Sequence, residues 1–92
     1  MVNLTESDDE CLVLHPDVVF RAVGDEGVVV DQRRPEVMVV NHLALRVLQL
    51  IRETGSRAAV LATLESEYPV EPTIIAADMD RFLADLRGRG LI

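Results

Sequence analysis

The chain has 92 residues, of which 49% are hydrophobic and 27% charged, with a net charge of −7. A single small domain follows, one that buries only about 60–65% of its unfolded surface and has little room for a deep catalytic cavity. All nine basic residues are Arg, and the acidic balance disfavours non-specific binding to phosphate backbones or anionic membranes, which reward clustered positive charge.

Residues 1–13 open polar and acidic, with Glu6, Asp8, Asp9 and Glu10, and are expected to be a flexible lead into a domain spanning residues 14–92. Val18 to Val23 reads as a strand, rich in β-branched and aromatic residues. Gly24-Asp25-Glu26-Gly27 supplies turn chemistry, and Val28-Val29-Val30 continues as a second strand, giving a hairpin. Asp31 to Pro35 leads into a short third strand, Glu36 to Val40. Pro35 has no amide hydrogen, which places it at a strand entrance or on an edge. Asn41 fits a helix N-cap, and Leu43, Ala44, Val47, Leu48, Leu50 and Ile51 then recur at helical spacing up to Gly55. Ser56 caps a second helix with Val60, Leu61, Leu64 and Tyr68 on one face. After Pro69 and Pro72, Thr73 is the expected cap of a third helix, whose apolar stripe reads Ile75, Met79, Phe82 and Leu86. Gly88 and Gly90 close that helix, leaving Leu91 and Ile92 to pack back on the body. The fold class is α+β: a three-stranded antiparallel sheet, then three helices on one of its faces, with the last two helices and the hairpin arranged as a winged helix-turn-helix.

Candidate chemistry is sparse. His15 and His42 stand at a strand entrance and a helix start, with no Ser, Cys or Asp spaced to specify a catalytic triad. Cys11 and His15 would need a helix to form a metal pair, and Pro16 opposes one there. No glycine-rich phosphate loop is present, so no enzyme activity, cofactor or metal is expected. The lone Cys11 excludes an internal disulfide and suits a reducing compartment. No apolar run reaches the roughly 18–20 residues of a membrane span, and Met1 leads into acidic residues; a cytoplasmic protein is expected. Winged helix-turn-helix domains often bind DNA, which makes a transcriptional regulator the alternative reading. The third helix opposes it, because its first half is acidic (Asp78, Asp80) where a reading helix presents residues to bases.

The sheet edge is the stronger candidate. If the strands form a meander, Glu36, Val37, Met38, Val39 and Val40 are an edge with unpaired backbone groups, a template for an added strand. The third helix should run beside it, presenting Ile74, Asp78, Arg81 and Asp85 at i, i+4, i+7 and i+11. On pattern alone that stripe is an ordinary solvated face with local charge pairs. An exposed apolar edge also invites pairing with a second copy, so a homodimer through this strand is a further expectation.

These residues resemble the PqqD-like family, the RiPP recognition elements. The run Pro16-Asp17-Val18-Val19-Phe20-Arg21, the acidic turn and Val28-Val29-Val30-Asp31 resemble the family's opening hairpin. Pro35-Glu36, Val40-Asn41, Ala44 and Leu48 are similar to its third strand and following helix, and Gly55-Ser56, Leu64 and Tyr68 to its second helix. The tail is the most specific piece: Asp78-Met79-Asp80-Arg81-Phe82-Leu83, Leu86, then Arg89-Gly90-Leu91-Ile92. The likeness covers about residues 14–92, and order and spacing carry it more than any single motif. It implies a peptide chaperone that binds the leader segment of a ribosomal precursor peptide between third strand and third helix. The partner it implies is a tailoring enzyme such as a radical SAM enzyme, a protease or a cyclase. Carried over to this chain, the site is Glu36 to Val40 on the strand, with Ile74, Ala77, Asp78, Arg81, Phe82 and Asp85 on the helix. The third strand lacks the aromatic residue that relatives often carry, which implies a shallower or differently selective groove. Pyrroloquinoline quinone synthesis is one pathway among several that the likeness allows.

Overall fold

Alternation of β-branched residues and a glycine of positive φ build the first half of the fold. The computed structural model describes residues 10–92. Strands β1 (Val18–Val23), β2 (Glu26–Asp31) and β3 (Glu36–Val40) form one antiparallel sheet in the order β1-β2-β3. The first turn is tighter than the four residues expected. Val23 pairs with Glu26, so only Gly24 and Asp25 lie outside the ladder. Gly24 has φ 61° while Asp25, like every described non-glycine residue, does not have positive φ, the pattern of a type II′ turn, whose twist matches the flanking strands and lets pairing run to the end.

The register assigns each side chain to a face. Val18, Phe20, Gly27, Val29, Asp31, Glu36, Met38 and Val40 share the inner face, and Val19, Arg21, Val28, Val30, Val37 and Val39 the outer one. The helix α1 (His42–Thr54) packs on the inner face through β2. Gly27, expected in the turn, is instead buried in β2 beneath this helix: a Cβ there would sit 2.9 Å from both Leu45 Cδ1 and Val40 Cγ2. Glycine is required by close approach, not by φ.

Helix α1 is capped as the sequence indicates. The Asn41 side chain accepts from the Ala44 amide, and Gly55 takes φ 67° while donating to the Ile51 carbonyl. Helix α2 (Arg57–Glu67) starts at Ser56, whose side chain accepts from the Ala59 amide. Helix α3 (Pro72–Gly88) departs from expectation at its start. Pro72, not the residue after a Thr73 cap, opens it, and Glu71 precedes it with no side-chain cap bond. Proline suits that place, since the first amides have no intrahelical acceptor and its φ is already helical.

The core gathers Leu12, Val18, Val29, six residues of α1, Val60, Leu64 and one stripe of α3. That stripe is Ile75, Met79, Leu83 and Leu86; Leu83 is 1% exposed and takes the place expected for Phe82, which is only partly buried. Positions i+7 and i+8 both lie near the stripe at 3.6 residues per turn, and here the branched aliphatic faces inward. Residues 1–9 of the expected acidic lead lie outside the described residues. From Glu10 the chain runs against the α1–α2 junction: the Arg57 amide donates to the Glu10 carbonyl, Cys11 bridges to Ser56, and Leu12 is 3% exposed. The packed body therefore begins before residue 14. At the other end Leu91, 4% exposed, folds back as expected, its carbonyl accepting from the His15 amide. Among the described residues no helix is long and apolar enough to cross a membrane.

Candidate peptide-binding groove

β3 is an edge because the sheet is a meander: among the described residues it pairs with β2 on one side and with no strand on the other. Helix α3 packs against α1 and α2, and two pockets form the candidate groove, one along β3 and one between α1 and α3. The first, of about 350 Å³, runs along Glu36, Val37, Met38 and Val39, with Arg34, Arg89 and Leu91 opposite. The second, of about 500 Å³, is bounded by Asn41, Leu43 and Ala44 at the start of α1 and by Asp78, Arg81, Phe82 and Asp85 of α3. Following the chain from Glu36 to Asn41 thus runs along α3 from its C-terminal end backwards. At the junction of the two parts, the Arg89 Nε donates to the Asp85 Oδ1 at 3.2 Å across one helical turn.

The floor is apolar and the rims are charged. Val47 and Met79, at 1% and 0% exposure, lie under the second part, with Leu43 and Phe82 half-buried beside them. Arg81 is the most open group on the rim, its side chain 77% exposed and its Nη1 donating to the Asp78 Oδ1 at 3.1 Å. The groove is therefore able to grip a chain by backbone hydrogen bonds along β3, by apolar contact with its floor and by charge on α3.

The β2–β3 connection holds the far end in shape. The Asp31 carboxylate accepts from Arg33 Nε and Nη2, both at 2.9 Å, and from the Arg33 amide at 3.0 Å. The same guanidinium donates to the Gly90 carbonyl at 2.9 Å, tying the tail after α3 to the turn before β3. Hydrogen bonds from Arg33 outweigh the opposing effect of burial and hold the Asp31 carboxyl at about 2, against an ordinary 3.8.

Of the residues expected at the site, Glu36, Val37, Met38, Val39, Asp78, Arg81, Phe82 and Asp85 line the groove. Val40 pairs with Gly27 and its side chain belongs to the core, 8% exposed. Ile74 and Ala77 are exposed on the first turns of α3 and line neither part. Sequence reasoning did not assign Arg34, Asn41, Leu43, Ala44, Val47, Met79, Arg89 or Leu91 to the site. Leu43, Val47 and Met79 carry only a core signal, because one residue serves as both core and floor. The Arg89-Gly90-Leu91 motif was the available hint for the tail.

Along the groove Arg81 is paired with Asp78 and Arg89 with Asp85, and among the described residues no three His, Cys, Asp or Glu side chains could hold a metal. The charges around the helix-turn-helix do not favour a nucleic-acid face. Arg57 is bound to Asp80 at 2.7 Å, Arg46 to Glu67 at 2.7 Å, and Arg87 to Glu10, so the arginines around the helix-turn-helix are already neutralised.

Comparison with known proteins agrees with this architecture. No match is found among curated proteins. The fold is similar to a solved structure described as "TbiB1 in Complex with the TbiA(beta) Leader Peptide", with a TM-score of 0.76 over 85% of this chain and 91% of that one, at 20% sequence identity. Residues 26–92, from β2 through the tail, match the family described as "Coenzyme PQQ synthesis protein D (PqqD)". With most of its length matched, the chain belongs to the PqqD family.

Proposed function

We propose that this protein binds the leader segment of a ribosomal precursor peptide as a fourth strand along β3 and presents it to a modifying enzyme. The observation that carries this reading is the β3 edge, which pairs with no strand on its outer side among the described residues, with one pocket along it and an apolar-floored pocket beyond its end between α1 and α3. Family membership and the likeness to a structure that holds a leader peptide support it. In this reading main-chain hydrogen bonds supply affinity, and the helical wall supplies register and selectivity. Arg81 is the charge anchor, able to take an acidic side chain of the peptide bidentately, and Asp78 orients it. Ile74 and Ala77 extend the wall beyond the groove for a peptide longer than β3. The protein acts as an adaptor without chemistry of its own, and the enzyme it serves is of the radical SAM, protease or cyclase kind. A fluorescence anisotropy titration tests this with labelled leader peptides of candidate precursors, and with labelled duplex DNA in parallel. Saturable peptide binding with weak salt dependence is expected. Salt-sensitive binding to the duplex and none to the peptide would replace the reading with that of a DNA-binding regulator.

A further inference from the structure

The sheet's outer face is unusual for one turned to solvent, where polar residues normally alternate with apolar ones. Cross-strand register lines its side chains into two rows across all three strands, Val19–Val30–Val37 and Arg21–Val28–Val39, with the pair Val23–Glu26 at the hairpin end. The rows differ at their two ends. On β1 they end in Val19, 41% exposed, and in Arg21, a charge that suits a solvated edge. On β3 they end in Val37 and Val39, 66% and 61% exposed, with no charged side chain beside them on that face of the strand. Strand propensity alone does not require this, because threonine suits an exposed strand as well as valine does. Val37 and Val39 also border the groove.

We infer that the bound peptide is read on both faces of the sheet, and that the two side chains it turns away from α3 are apolar, β-branched or aromatic. This rests on the strand addition proposed above. Side chains of an added strand alternate between faces, so those turned outward recur at i and i+2. An added strand places one of them beside Val37 and the next beside Val39, lengthening each row by one residue. Cross-strand neighbours of this kind interact directly and favour β-branched and aromatic partners. The intervening residues face the groove, where an apolar floor and a charged rim select them independently of the outer face. The substrate class is thus an extended segment whose outward pair, at i and i+2, is apolar and β-branched or aromatic. Neither the inner wall nor the backbone bonds would impose that outward pair.

A displayed library of random peptides, selected in parallel on the wild-type chain and on the Val37→Lys/Val39→Lys variant, tests this. Circular dichroism checks that the variant folds; a Val37→Thr/Val39→Thr variant, close in shape, stands in if it does not. From the wild type, enriched peptides should carry apolar β-branched or aromatic residues at an i, i+2 pair. Replacing that pair with Ser should weaken an individual peptide on the order of three- to tenfold. On the lysine variant the same two positions should turn acidic, and on the threonine variant their enrichment should fade, while the intervening positions stay unchanged. If shift mapping places the peptides on β3 but wild type and variant return the same consensus, outward reading is overturned and strand addition stands. If the wild type enriches no peptide, or only peptides that bind away from β3, both are overturned.

Discussion

At the residue scale, Asp31 makes the sharpest statement about pH. Its carboxyl is held at about 2 in the folded chain, below its ordinary 3.8. A depressed folded value stabilises the protein above the unfolded value, and that contribution is lost as pH falls through the folded one. Asp31 should therefore titrate near pH 2 by NMR. Melting temperature should drop between about pH 4 and pH 2 more steeply in the wild type than in Asp31→Asn, which has no such proton to gain. The arginine clamp also predicts that the Leu91 amide loses hydrogen-exchange protection in Asp31→Asn, since Arg33 would hold Gly90 less firmly. Gly27 makes a packing statement. Alanine there meets Leu45 and Val40 at 2.9 Å, so Gly27→Ala should cost about 1–3 kcal/mol by urea denaturation. Arg81 separates folding from binding. With its side chain 77% exposed, Arg81→Glu should alter stability by under about 0.5 kcal/mol. It should weaken leader binding by more than about 1 kcal/mol, measured by calorimetry. Unchanged binding would remove Arg81 as the anchor.

At the element scale, the sequence was legible wherever one periodicity and one cap acted together. Both β1 and β3 fall where alternation and Pro35 place them, and Asn41, Gly55 and Ser56 bound the first two helices as their chemistry dictates. Legibility failed where one residue type has two uses. Gly27 read as turn chemistry because glycine signals both positive φ and close approach, and only the Leu45 contact distinguishes them. Phe82 read as core because it falls at i+7 from Ile75, yet Leu83 at i+8 on the same side of α3 is the buried residue. The edge status of β3 was legible from the meander. The depth of the groove was not, because it depends on how far α3 stands from α1 and on Leu43 and Met79, whose spacing announces only a core.

At the scale of the whole molecule, the edge proposed to accept a peptide would equally suit a second copy of the chain. The two uses exclude each other, so any β3-paired dimer should dissociate as leader peptide is added, seen as a fall in weight-average mass by light scattering at fixed protein concentration. A dimer that persists in saturating peptide would place self-association elsewhere. The central claim is that β3 gains a neighbour on peptide binding, and amide hydrogen exchange read by NMR, with and without the leader peptide, tests it most directly. On peptide binding the outward amides of Glu36–Val40 should become protected, and shifts should move at Asp78, Arg81, Phe82, Asp85 and Arg89. Binding that leaves β3 exchange unchanged, and moves only β1 or the exposed face of α2, would contradict it.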